Sequence, residues 1–260
     1  MEEIRFEKIT FQYPEARSPL FQDFSLTLYN GVTSFIGQNG TGKSTLLLLG
    51  AGFLLPDSGK VSVQGIDTNL LRTGYDHQVY ISFIYQNMEF ESEKNVGKLL
   101  SFVLANGFRE DKDETLLTTL IRVFELERIL RHKTQEISKG ELQRTILAFS
   151  LLYGSRILMM DEPIFAMEAS QKYRVMGFLR EFAQHENLSI FYSVHELEMS
   201  KQYSDYTLLF QKHAPPLYGK TSDVLTDEHL EEAYEIPMTF LKQEEVLYRD
   251  ALTGNNTTHT

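Results

Sequence analysis

Apolar positions along the chain follow two rhythms. Residues 4–12 (IRFEKITFQ) partly alternate between apolar and polar, and after Pro14 and Pro19 the alternation resumes at 24–28 (FSLTL). This pattern predicts edge strands of an antiparallel section. VTSFI, 32–36, is a β-branched and aromatic run that stops at Gly37, and an apolar, helix-like stretch follows from Thr45. Pro56, Asp57 and Gly59 mark a turn before KVSVQG, which alternates as a further strand. From about residue 87 to 153 the spacing becomes helical, as in ETLLTTLIRVFELERIL at 114–130, and predicts a helical insertion. The apolar run RILMMDEP (156–163), a helix pattern over 170–186, LSIFYSV (188–194) and YTLLFQ (206–211) then restore strand and helix in alternation. Strands alternating with helices predict an α/β fold: a mainly parallel sheet covered by helices, with an antiparallel β section and an inserted α-helical lobe. No internal repeat stands at the usual solenoid periods.

Composition narrows the function classes. A chain of 260 residues with 42% hydrophobic and 23% charged residues can bury a full-sized core. Its 25 basic against 36 acidic residues leave a formal charge of −11, which argues against a surface built to coat nucleic acid or anionic lipid. There is no cysteine, so disulfides and thiolate metal sites are excluded and a reducing compartment is expected. The opening MEEIRFEKITF reads as neither a secretory nor a transit signal. The longest near-apolar stretch, 46–55, is about half the ~20 residues that a spanning helix needs. Asn187 and Asn256 sit in glycosylation sequons, which carry no weight in a cytosolic chain.

Chemistry enters at Gly37-Gln38-Asn39-Gly40-Thr41-Gly42-Lys43-Ser44-Thr45, which satisfies G-x-x-x-x-G-K-[ST] between a strand and a helix start. Amide groups freed by the glycines and the positive end of the helix dipole can surround phosphate oxygens. Lys43 would add a point charge for the β and γ phosphates, and Ser44 a Mg²⁺ ligand. The competing reading is an ordinary glycine turn before a core helix, which the placement disfavours. Asp161 and Glu162 follow four apolar residues and should leave the C-terminal end of a central strand beside that loop. One carboxylate can hold Mg²⁺ while its neighbour orients or deprotonates an attacking water.

Together these residues resemble the ATP-binding subunits of ABC transporters over nearly the whole chain. Ile137-Ser138-Lys139-Gly140-Glu141-Leu142-Gln143-Arg144 is similar to that family's signature L-S-G-G-Q-x-Q-R, just upstream of the aspartate-glutamate strand. Gln86, after YISFIY, matches the glutamine loop; His195, after FYSV, the switch histidine; and Tyr13, in FQYP, the aromatic residue that stacks on adenine. The resemblance implies a P-loop NTPase fold in a single ABC ATPase domain, 1–260. Its RecA-like core and antiparallel section would span 1–86 and 154–240, the helical lobe about 87–153, and a flexible tail 253–260. It implies ATP and Mg²⁺ as cofactors, with Glu162, His195 and Gln86 catalytic and Ser44, Gln86 and Asp161 around the metal. Tyr13 and residues 37–45 would hold the chain's own ATP, and Ser138 and Gly140 the ATP of a partner subunit.

The implied partners are a second copy in a head-to-tail ATP sandwich, separate transmembrane permease subunits and a substrate-binding protein, with no nucleic acid. The implied location is the cytoplasmic face of the plasma membrane. Lys139 replaces a signature glycine, Glu141 the signature glutamine, and IFAME (164–168) a loop that commonly ends in aspartate. The stretch 219–238 is similar to the C-terminal part of ATPases that serve importers of iron chelates, haem and cobalamin. The alternatives are a soluble ABC-type ATPase and a regulatory module uncoupled from transport.

Overall fold

The computed structural model describes residues 1–71, 77–112, 114–237 and 239. Met238 and the polar tail from Thr253, with its Asn256, lie outside the described residues.

Two sheets form the body. The strands are β1 (Glu2–Phe11), β2 (Phe21–Tyr29), β3 (Val32–Ile36), β4 (Ser58–Val63), β5 (Ile66–Asp67), β6 (Ile81–Ile84), β7 (Ile157–Met160), β8 (Ser189–Ser193), β9 (Tyr206–Leu209) and β10 (Leu217–Lys220). One sheet is antiparallel with order β2-β1-β4-β5, and the other has order β10-β9-β3-β8-β7-β6. In the second sheet β9, β3, β8, β7 and β6 run parallel, and β10 closes one edge antiparallel to β9. Because β4 returns to pair with the far side of β1, β1 is an interior strand; of these two strands only β2 is an edge, so the expectation of two edge strands holds for β2 alone.

Helices fill the spaces between and outside the sheets: α1 (Lys43–Gly50), α2 (Thr68–Leu71), α3 (His77–Tyr80), α4 (Val96–Asn106), α5 (Glu114–Val123), α6 (Lys139–Tyr153), α7 (Ala169–Glu186), α8 (Leu197–Tyr203), α9 (Thr221–Val224) and α10 (Asp227–Tyr234). Leu46, Leu47 and Leu49 of α1 share one core cluster with Phe6 and Val61 of the antiparallel sheet and with Phe35 and Phe191 of the parallel sheet. Helix α1 is thus packed between two sheets, which is why its sequence is apolar nearly all round. On the opposite face of β8, Ile190 and Tyr192 join a second cluster with Leu147 and Leu151 of α6, Val175 and Leu179 of α7 and Leu100 of α4. Alternate residues of β8 therefore feed opposite cores, as a doubly covered strand requires.

The helical pattern over 114–130 is interrupted. Helix α5 stops at Val123, Glu125 adopts a left-handed φ of 55°, and a short 3₁₀ turn follows at Glu127–Ile129. Polar groups of two other helices hold the break. The buried Arg144 of α6 donates from Nε to the Phe124 carbonyl (2.8 Å) and from a terminal nitrogen to Gln171 Oε1 (2.8 Å). Gln171 in turn donates to Glu125 (2.9 Å), which Arg174 also pairs. Periodicity could not show this stop, because its cause is tertiary.

Replacing Arg144 with Met should leave the Phe124 carbonyl unpaired and cost about 2 to 3 kcal/mol. Urea unfolding of the two proteins checks this, and a difference below about 0.5 kcal/mol would show that the clamp is not stabilising.

Candidate active site

The phosphate loop runs from the end of β3 into α1, and its shape rests on glycines at positive φ. Gly37 (φ 145°) lies so close to Phe210 that a Cβ would meet its Cβ and carbonyl at 2.8 Å. Gly42 caps α1 at φ 104° with no side-chain cap, so the first amide groups of the helix are left open to an anion. A Cβ on Gly40 would touch nothing within 4 Å, so that side of the cradle is open. Lys43 is 6% exposed. Its ammonium donates to the carbonyls of Gly37 (2.7 Å) and Gln38 (2.9 Å), and Thr41 Oγ1 donates to the Gln38 carbonyl (2.8 Å). Burial lowers the Lys43 pKa, and the negative charges of Glu162 and Asp161 oppose that shift.

Asp161 and Glu162 follow β7, as the sequence places them. Glu162 turns through a left-handed φ of 49°. Its carboxylate accepts from Gln86 Nε2 (2.8 Å) and from His195 Nε2 (2.8 Å), the imidazole nitrogen that must carry a proton to make this bond. The His195 hydrogen bond does most to hold Glu162 below the usual carboxylate range; burial acts in the opposite sense, and the charges of His195 and Lys43 add to the lowering. Gln86, Asp161, Glu162, His195 and Lys43 thus converge at the C-terminal ends of β6, β7 and β8 and the loop after β3. Tyr13 stands beside them: its hydroxyl shares a 3.0 Å hydrogen bond with Thr45 Oγ1, and its ring is 41% exposed and edge-on to Phe11.

Ser138 and Gly140 are not drawn into this cluster. Ser138 caps α6, and its amide and hydroxyl both donate to Glu141 Oε2 at 2.8 Å, while the Glu141 amide returns to Ser138 Oγ at 3.3 Å. This is a capping box, and it seats a carboxylate where the helix start would hold an anion. The Ser138 amide is foremost in keeping Glu141 below the usual carboxylate range. Gly140 packs so tightly on the Ala166 carbonyl that a Cβ would come within 2.6 Å, so the signature turn and the IFAME loop touch.

The sequence reading missed three features. Ser193 bonds both carboxylate residues after β7, Gln38 donates to the carbonyls of Ala233 (3.2 Å) and Tyr234 (2.9 Å), and Lys172 forms a partly buried ion pair with Glu196 (2.5 Å), the neighbour of His195. A serine in a strand and a lysine in a helix carry no pattern of their own, and only the spacing of Ser193 two residues before His195 was there to be read.

Open α1 amides, an uncrowded Gly40 and a buried lysine fit a triphosphate. Among the described residues no group of three or more His, Cys, Asp or Glu forms a metal cage. The donors present, the Ser44 hydroxyl, Asp161 and Gln86, fit Mg²⁺, which keeps water and phosphate oxygens among its ligands. Such a site on such a sheet defines a phosphate-loop nucleoside triphosphatase.

The sequence model of the ABC transporter family matches residues 21–165, and the chain belongs to this family. It is an ATP-binding cassette ATPase. It is 27% identical over 240 residues to the phosphonates import ATP-binding protein PhnC of Treponema denticola, covering 87% of this chain and 93% of that protein. To the petrobactin import ATP-binding protein FatE of Bacillus anthracis it is 25% identical over 215 residues, covering 82% and 86%. It spans only 42% of the length of an ABC transporter ATP-binding protein of Lactiplantibacillus plantarum, to which it is 26% identical. Among solved structures, an inward-facing metal-chelate type ABC transporter superposes with a TM-score of 0.71 at 23% identity, over 91% of this chain and 90% of that one. A dimeric post-hydrolysis ATP-binding cassette bound to ADP and Pi gives 0.71 at 18% identity, over 84% and 98%.

The depressed Glu162 pKa has a consequence for acid stability. A carboxylate whose folded pKa lies below its unfolded value stabilises the fold above about pH 4.3, and that contribution is lost as pH falls through the folded value. Glu162→Gln should therefore lose less stability on acidification than the wild type. Urea midpoints of both proteins from about pH 7 down to about 3.5 test this; parallel curves would remove the electrostatic account.

Proposed function

We propose that the chain hydrolyses Mg·ATP as one half of a paired cassette and so powers import through separate membrane permease subunits. The observation that carries this reading is the convergence of Gln86 and His195 on the Glu162 carboxylate beside the buried Lys43. In this reading the α1 amides and Lys43 bind the phosphates, Tyr13 stacks on adenine, and Ser44, Asp161 and Gln86 hold Mg²⁺. The metal, when bound, neutralises charge on the transferred phosphoryl group. Glu162, kept ionised, orients and deprotonates water, and His195 moves from Glu162 to the γ-phosphate.

Ser138 and Gly140 do not reach the chain's own phosphate loop cluster, so we assign them to the nucleotide of a second copy, a reading that the dimeric cassettes of the same fold support. No helix among the described residues is long and apolar enough to cross a membrane. We assign translocation to separate permease subunits and the cassette to their cytoplasmic side, a reading that the import ATP-binding relatives support. We assign residues 87–153 as the helical lobe, with the permease contact at Gln86 and the acidic Glu89, Glu91 and Glu93. An importer of a metal or metal chelate is the cargo class we favour, on the stretch 219–238, the petrobactin relative and the metal-chelate type structure. The phosphonate and thiamine relatives support a different cargo, and reconstitution with the permease decides between them.

Wild type should turn over ATP slowly, and Glu162→Gln should abolish turnover while an ATP-dependent dimer accumulates on size-exclusion chromatography. Turnover retained in that variant would sink the base assignment. Lys43→Ala should weaken binding of a fluorescent ATP analogue by at least about tenfold, the worth of a charge-assisted contact. Unchanged affinity would remove Lys43 from the phosphate cradle. Glu141→Gln keeps the capping box and deletes a negative charge from the signature turn. It should lower the ATP concentration needed for pairing by about threefold, measured in the Glu162→Gln background; an unchanged threshold would show that the Glu141 charge does not oppose pairing.

A further inference from the structure

The hydrogen-bonding capacity of Ser193 is committed in one direction. Its side chain is fully buried at the C-terminal end of β8. The Glu162 amide can only donate, so its 2.9 Å bond makes Ser193 Oγ an acceptor there, and the hydroxyl proton goes to Asp161 Oδ1 at 2.5 Å. One hydroxyl thus ties together two neighbouring carboxylate residues with different tasks.

Each bond constrains one of those tasks. With Oδ1 engaged, Asp161 has Oδ2 left to face a cation, and its backbone amide donates a hydrogen bond to the Ile84 carbonyl of β6 (2.9 Å). Glu162 sits at a left-handed φ that costs a non-glycine residue on the order of 1 kcal/mol, so something must offset that cost. The hydrogen bond from its amide to Ser193 Oγ contributes to that offset, and the same turn sends the carboxylate to Gln86 and His195.

We propose that Ser193 is a positioning residue of the ATPase site, aiming the metal-facing oxygen of Asp161 and fixing the backbone turn that presents Glu162. This deepens the function proposed above and rests on it. Hydroxyls and carboxylates behind metal ligands typically change metal affinity or activity by about 10- to 100-fold when removed.

The test compares wild type, Ser193→Ala and Ser193→Thr, the last of which keeps the hydroxyl. Binding of a fluorescent ATP analogue in EDTA should agree within about twofold for wild type and Ser193→Ala. The tightening caused by added Mg²⁺ should be at least about fivefold smaller in Ser193→Ala, and kcat should fall about 10- to 100-fold with a raised Mg²⁺ requirement. Ser193→Thr should recover most of both. Wild-type metal dependence in Ser193→Ala overturns the proposal. So does an equal loss of binding in EDTA and in Mg²⁺ accompanied by a lowered melting temperature, which would mark a merely structural role. A wild type that neither binds nor hydrolyses ATP overturns the ATPase reading itself, an outcome distinct from an active wild type matched by Ser193→Ala.

Discussion

Taking an ammonium group out of water costs several kcal/mol unless donors and charges around it are satisfied, and the fold meets that requirement at Lys43. Two loop carbonyls accept hydrogen bonds from it, and the negative charges of two carboxylates at the end of β7 act on it. Each partner comes from a different place in the chain: the carbonyls from the turn after β3, the carboxylates from a strand more than a hundred residues later. Only a parallel sheet with β3, β8 and β7 side by side brings those strand ends to one edge. The apolar α1, pressed between both sheets, then fixes the direction from which the ammonium arrives.

Much of this was legible in the residues. Glycine spacing before a lysine names the loop, and four apolar residues before two carboxylates name the strand end; both signals survive because local backbone geometry dictates them. The helical period over 114–130 failed at Glu125, where a left-handed residue is held by Arg174 and Gln171 from a helix that is distant in sequence. The status of β1 as an interior strand was hidden for a similar reason, since pairing on both edges is decided by where β4 returns. Ser193 was invisible because a serine in a strand has no pattern of its own.

The departures at the signature acquire a physical meaning. Ser138 with Glu141 is a helix cap, and the cap places a negative group at the positive end of α6. Arg144, two turns along the same helix at most, is a buried clamp on the end of α5. One short motif therefore serves both helix initiation and packing between helices, so its residues answer to more than one constraint at once.

Gln38 joins regions far apart in the chain. Its amide nitrogen reaches two carbonyls at the C-terminal end of α10, where Glu235 adopts a left-handed turn and is paired by Lys212. Small displacements of the loop and of that helix are thereby mechanically shared: sliding one against the other strains two hydrogen bonds together. Amide protons on both sides are accordingly expected to exchange with solvent as a single cooperative unit.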